Sequence, residues 1–186
     1  MRTFLAIPLS QNVKDYISEW ENDFKCLKLD AKFVDCKNLH ITLKFLGEIN
    51  EDKIQPIKNI VDDVVKTFKP LEVKLVDFGF FPNRNNPRVF FIATDKEEEL
   101  KKLAYNIEDR LENLGFVKEE RFKSHITLAR FKSKRDIESL NKIIYNLKLN
   151  KSFLIDRIVL FKSMLTPSGP IYEEIFTSIF KSGIDV

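Results

Sequence analysis

The chain has 186 residues, 44% of them apolar and 32% charged, with a formal net charge of +3. That size and balance support a buried core in one domain or two packed lobes, and exclude a disordered chain, a collagen and a disulfide-dense mini-protein. So small a positive excess excludes a histone-like coat on nucleic acid. Cys26 and Cys36 form no metal-type cluster and read as reduced thiols of an intracellular chain.

The first element is the apolar run Phe4 to Leu9, too short for the apolar segment of a signal peptide. Nowhere do roughly 18 apolar residues follow one another, as a bilayer span needs. A soluble, cytoplasmic protein with no membrane contact is the expectation. Val13, Ile17, Trp20, Phe24 and Leu27 recur every three or four residues and predict a one-sided helix, with Ser10 as its N-cap. Lys32-Phe33-Val34 follows, then the alternating stretch His40-Ile41-Thr42-Leu43, a strand. Ile54, Ile57, Val61, Val64 and Phe68 mark a second helix, which Pro56 makes start late or bend. A strand is expected over roughly 71–79. The turn-rich stretch Phe81-Pro82-Asn83-Arg84-Asn85-Asn86-Pro87 joins it to the run Val89–Ala93. Leu100, Leu103, Ile107, Leu111 and Leu114 predict a third helix, opened by Glu97-Glu98-Glu99 where the helix dipole favours acid and stopped at Gly115. After His125-Ile126-Thr127-Leu128 comes a fourth, marked by Ile137, Leu140, Ile144 and Leu147 with Ser133 as cap. Strands over 153–162 and 171–179, joined by the turn Thr166-Pro167-Ser168-Gly169-Pro170, complete the chain.

The chain is an internal repeat. Its two histidines both open the tetrapeptide His-Ile-Thr-Leu, nearly half a chain apart. Each is preceded by an apolar run and a one-sided helix and followed by another helix. The expected fold is α+β, with two similar lobes related by a pseudo-two-fold. Each lobe would be a small, mostly antiparallel sheet with two helices, the lobes interleaved in a single domain over 1–186 with a cleft between them.

The repeated residues suit acid–base chemistry. On a strand, positions i and i+2 share a face, so His40 and Thr42, and His125 and Thr127, point one way while their apolar neighbours enter the core. Converging across a pseudo-two-fold, two imidazoles can flank a phosphate, one taking and one giving a proton. Two threonine hydroxyls can donate to its non-bridging oxygens, where transition-state charge collects. No metal or other cofactor is required. A metal site would need a third ligand, and Asp35 and Cys36 beside His40 have no counterpart in the second half. The bland alternative is a duplicated packing motif, although packing alone need not preserve imidazole twice.

The paired His-x-Thr-x motifs resemble the signature of the 2H phosphoesterase superfamily, in particular its RNA 2′,3′-cyclic phosphodiesterase (2′-5′ RNA ligase) branch. The likeness rests on Phe4-Leu5-Ala6-Ile7, on Asn38-Leu39-His40-Ile41-Thr42-Leu43-Lys44-Phe45-Leu46-Gly47-Glu48, and on Pro87-Arg88-Val89. It extends to His125-Ile126-Thr127-Leu128-Ala129-Arg130, Ser163 and the Gly169-Pro170-x-Tyr172 turn. Ser124 departs from the proline that usually precedes the second histidine in that family. The resemblance implies hydrolysis of an RNA-terminal 2′,3′-cyclic phosphate to a 2′-phosphate, with His125 as proton acceptor and His40 as proton donor. Thr42 and Thr127 would hold the phosphate, and the site run backwards would ligate ends 2′-5′. The symmetry of the repeat leaves the order of the histidines open. The implied partner is RNA with a cyclic phosphate end, tRNA fragments included, bound by a monomer. Two alternatives share the cleft: a phosphodiesterase of small cyclic nucleotides or 2′-5′ oligonucleotides, and a non-catalytic RNA-binding module.

Three further residues are candidates for substrate contact. Strict alternation turns Arg130 away from the cleft; the resemblance makes it a phosphate contact, which requires a bulge or strand end near Ala129. Lys44 lies on the histidine face by alternation, without a counterpart in the second motif. Phe4 reads either as core or as lining of a nucleotide pocket. Arg84, Arg88, Arg121, Lys123, Lys132, Lys134 and Arg135, interleaved with Phe81, Phe122 and Phe131, form a candidate single-strand RNA track.

Overall fold

A computed structural model describes residues 1–119, 121–167 and 169–181. The early apolar run forms β1 (Arg2–Pro8), followed by α1 (Gln11–Lys25), β2 (Ala31–Phe33) and β3 (His40–Glu48). Then come α2 (Ile54–Val65), β4 (Leu71–Phe81), β5 (Val89–Thr94) and α3 (Glu97–Glu112). The chain closes with β6 (His125–Phe131), α4 (Ile137–Asn146), β7 (Ser152–Ile155), β8 (Arg157–Thr166) and β9 (Gly169–Ile179).

The helix boundaries follow local chemistry. A 3₁₀ turn over Glu51–Lys53 runs into α2, so Pro56 falls in the first turn, where its missing N–H has no helical acceptor to lose. Gly115, at φ +87°, lets the Phe116 N–H return to the Leu111 carbonyl and stops α3 as expected. The fourth helix departs from expectation: Asp136, not Ser133, is its N-cap residue. The Asp136 carboxylate accepts from the Ser139 hydroxyl and the Lys28 N–H, tying α4 to the end of α1. The strand predicted over 153–162 is interrupted at Asp156 into β7 and β8. Ser168, in the predicted turn between β8 and β9, lies outside the described residues.

The strands run in the order β7-β4-β5-β6-β3-β1-β8-β9, with β2 added to β6, and every pairing is antiparallel. That order is symmetric about its middle. The two halves join at one bridge, Ile41 to Ile126, each the residue after its histidine. An antiparallel bridge between equivalent residues lies on a two-fold, which sets His40 across from Thr127 and Thr42 across from His125.

The helices are exchanged between halves. In α1, Trp20 and Phe24 pack on Phe78 and Phe90 of β4 and β5, and α3 reaches β3 through Glu108 and Lys44. The helices share one continuous core with one face of the sheet, including Leu5, Ile7, Ile41, Leu43, Ile126 and Leu128. The opposite face of β1 and β8 carries a small separate cluster, Phe4, Ala6, Val159 and Phe161. The functional side chains stand on that second face.

Candidate active site

His40, Thr42, His125 and Thr127 line one cleft of about 880 Å³. Its lining also takes in Phe4, Phe45, Arg130 and Tyr172. Each histidine is oriented the same way. His40 Nδ1 lies 2.6 Å from the Asn38 carbonyl and His125 Nδ1 2.7 Å from the Lys123 carbonyl, in both cases the residue two earlier. A carbonyl can only accept, so each Nδ1 carries its proton and each neutral ring keeps a basic Nε2. His40 Nε2 is 3.0 Å from Thr42 Oγ1, which donates to it in that state. Asn38 also fastens the cleft wall, because its Nδ2 donates to the Pro170 carbonyl at 2.8 Å.

The two imidazoles have different surroundings. His40 lies 4.9 Å from the Phe4 ring and 5.5 Å, edge-on, from Tyr172. Burial among these groups pulls its pKa down to about 4; His125, Lys14 and Arg130 push the same way, against the Asn38 hydrogen bond. His125 stands edge-on to Phe81 at 5.0 Å and to Phe91 at 5.4 Å. Burial lowers its pKa too, aided by Arg130 and Lys123 and opposed by the Lys123 carbonyl. Burial raises the Tyr172 phenol, with Arg130 and Arg2 opposing.

Two matching bulges determine what else faces the cleft. The β1–β3 register shifts between Leu5 and Ala6, opposite Thr42 to Lys44. The β5–β6 register shifts between Phe90 and Phe91, opposite Thr127 to Ala129. After each bulge alternation resumes one residue late. Arg130 therefore turns into the cleft, through the irregularity that a phosphate contact at this position would require, and Phe45, also five residues after its histidine, does the same.

The expectation for Lys44 is corrected by the same bulge. Lys44 is carried to the core face, 3% exposed, where Nζ lies 2.8 Å from Glu108 and 2.6 Å from the Val117 carbonyl. It does not reach the cleft. Phe4 is buried, and it lines the cleft from beneath His40.

The predicted basic track is only partly brought together. Lys132 and Phe131 line the cleft beside Arg130. Arg84 covers Phe80, Lys123 lies over Phe81 and Phe91, and Arg135 donates to the Lys28 carbonyl away from the cleft. Arg2, Lys32 and Lys37, missed in the sequence, line the cleft instead. Phe45 was missed as well, although its offset from His40, equal to that of Arg130 from His125, was a usable signal. Ser124, where the family pattern has proline, is fully buried and shares a 2.5 Å hydrogen bond with the Thr94 hydroxyl. Among the described residues, no three His, Cys, Asp or Glu side chains gather as a metal-binding group, and Cys36 Sγ turns to Ser18 Oγ and the Lys14 carbonyl. No helix among them is long and apolar enough to cross a membrane.

Fold and site together define a class: α+β proteins of two like halves that present paired histidine–threonine strands to a shared cleft. The model of the family described as LigT like Phosphoesterase matches residues 7–91 and 92–172. The chain belongs to that family. It is 38% identical over 180 residues to a Methanocaldococcus jannaschii protein named RNA 2′,3′-cyclic phosphodiesterase, covering 94% of this chain and 98% of that one. It is 34% identical over 185 residues to a Thermotoga maritima protein of the same name, covering 99% and 98%. A crystal structure of a Thermus thermophilus protein superposes with a TM-score of 0.81 at 25% identity, covering 98% of this chain and all of that one.

Proposed function

We propose that the protein hydrolyses the 2′,3′-cyclic phosphate at an RNA end to a 2′-phosphate, without a metal. The observation that carries this reading is the matched pair of imidazoles, each pinned at Nδ1 by a carbonyl and each offering Nε2 to one cleft. The names of the relatives supply the substrate class.

His125 Nε2 takes a proton from water as the water oxygen attacks phosphorus. The bond from phosphorus to O3′ breaks, and His40, protonated at Nε2, gives its proton to O3′. The product keeps the phosphate on O2′. The imidazolium at His125 and the neutral His40 then exchange a proton with solvent to reset the site. Thr42 and Thr127 donate to the non-bridging oxygens, and Arg130 balances their charge. On substrate binding the Thr42 hydroxyl turns from His40 Nε2 to the phosphate, freeing Nε2 to carry the acidic proton. Run backwards with an RNA 5′-hydroxyl as nucleophile, these steps form a 2′-5′ bond. The protein acts as a cytoplasmic monomer of one domain, and tRNA fragments with cyclic ends are among its substrates.

The test is turnover, with EDTA present, of a short RNA ending in a 2′,3′-cyclic phosphate. A 2′-phosphate product is expected, and kcat should fall about 10²- to 10⁴-fold in His40→Ala and in His125→Ala, the range for loss of a general acid or base. RNA that binds without turnover would point to a binding module. Loss of activity with EDTA would overturn the metal-free mechanism.

A further inference from the structure

The pseudo-two-fold is broken just before the histidines. In the ladders, His40 faces Pro8 of β1 and His125 faces Ala93 of β5. One step outward from each pair stand Leu39 and Leu9 in the first half, and Ser124 and Thr94 in the second. The two leucines belong to the common core. The two hydroxyl residues are as deeply buried, Ser124 at 0% and Thr94 at 4% exposed, and their oxygens lie 2.5 Å apart. A hydroxyl taken out of water needs a partner, and a buried hydrogen-bonded pair fixes a direction that an apolar contact leaves free.

The need for direction lies one residue away. Each neutral histidine ring is set by the carbonyl two residues earlier. Asn38, which supplies the first carbonyl, is buried and fastened twice: its N–H donates to the Asp35 carbonyl and its Nδ2 to the Pro170 carbonyl, both at 2.8 Å. Lys123, which supplies the second, is exposed and precedes β6, with its side chain over Phe81 and Phe91. Ser124 shares a peptide unit with that carbonyl. Thr94 is itself paired with Leu75 of β4, so a bond from Ser124 to Thr94 holds the peptide plane against the sheet. We propose that Thr94 and Ser124 are positioning residues for His125. Their buried hydrogen bond keeps the Lys123 carbonyl on Nδ1, and so keeps Nε2 unprotonated and aimed into the cleft. The kinetic consequence rests on the reading of His125 as the base, to which the pair adds what orients it.

The experiment uses three variants. Thr94→Val keeps the side-chain shape without the hydroxyl. Thr94→Val, Ser124→Ala also removes the orphaned partner, so that no buried hydroxyl stays unpaired. Thr94→Ser keeps the bond. The chain has two histidines, so nitrogen NMR of histidine-labelled protein, assigned with His40→Gln, reads both rings above their titration range. The parent should show both protonated at Nδ1. In the two valine variants His125 should gain the Nε2-protonated form while His40 stays as it was. Their kcat on cyclic-ended RNA should fall about 10- to 100-fold at nearly unchanged KM, as when a base is misplaced by about 1 Å. Thr94→Ser should match the parent in both readouts, and thermal melts would show that each variant is folded. An unchanged His125 ring in the folded double variant, or a Thr94→Ser protein that behaves like Thr94→Val, overturns the positioning role and leaves the reaction standing. A shifted ring with kcat intact overturns His125 as the base. A parent that turns over no cyclic-ended RNA overturns the cyclic phosphodiester reading, while the ring spectra still decide what holds His125.

Discussion

Replacing Lys44 by methionine separates its structural role from the substrate contact that strand alternation suggests. Lys44 and Glu108 are each 3% exposed, and their charged groups are 2.8 Å apart between β3 and α3. Lys44 also donates to the Val117 carbonyl, while the exposed Glu119 carboxylate stands farther off at 3.7 Å. In Lys44→Met the Glu108 carboxylate keeps, among the described residues, a long hydrogen bond from the Glu119 N–H, at 3.3 Å. A buried charge stripped of its partner costs about 3–5 kcal/mol. At about 2–4 °C per kcal/mol for a domain of this size, the melting midpoint should fall by roughly 6–20 °C. The double variant Lys44→Met, Glu108→Leu removes both charges and should recover most of that loss, because an apolar pair of similar volume is often as stable as the ion pair. Thermal melts of the parent, both singles and the double give the coupling directly. Below the melting range, kcat/KM of Lys44→Met on cyclic-ended RNA should match the parent. A single variant as stable as the parent, or a double as unstable as the single, would refute the buried-pair argument. A folded Lys44→Met protein with kcat/KM down tenfold would refute the placement of Lys44 outside the cleft.

Both imidazoles titrate below their usual range, His40 at about 4, so the bell of kcat/KM against pH should peak on the acid side of neutrality. Arg130 depresses both histidines. Arg130→Met should therefore shift the whole bell to higher pH while lowering its height, and a bell that stays in place would exclude that electrostatic link. The depressed His40 also couples folding to pH: the unfolded chain binds the His40 proton first as pH falls from about 6.5. Urea melts should show stability dropping as pH falls from there through about 4, and His40→Gln should flatten that dependence. At Gly79, an added Cβ would collide with the Phe91 ring at Cζ. Phe91 stacks on Phe81 at 4.3 Å, and both rings flank His125. Gly79→Ala should cost about 1–3 kcal/mol, as overpacking does, and should reduce kcat by displacing His125; unchanged values of both would sink this account.

Much of the site was legible because it rests on local rules. The period of two puts each histidine with its threonine, and the spacing of three and four finds all four helices. The duplication pairs the two motifs, and the chance of two isolated histidines both opening His-Ile-Thr-Leu is small enough to make the cleft an expectation. These features depend only on the geometry of neighbouring residues along one chain.

The rest depends on partners far away in sequence. Whether alternation continues past Thr42 and Thr127 is decided by the register against β1 and β5, and the bulges there send Lys44 to Glu108 and turn Phe45 and Arg130 into the cleft. The strand break at Asp156 arises because β7 pairs with β4 whereas β8 pairs with β1, two different neighbours for one apolar stretch. Amphipathic spacing shows that α1 has a buried face but not that it packs on β4 and β5 of the opposite half. Long basic side chains obey no periodicity, so only the folded surface separates Arg2 and Lys32, which line the cleft, from Arg135, which is held at the Lys28 carbonyl. A single strand carries its own two faces in its sequence, but which residue lands on which face after a bulge is fixed by the strand beside it.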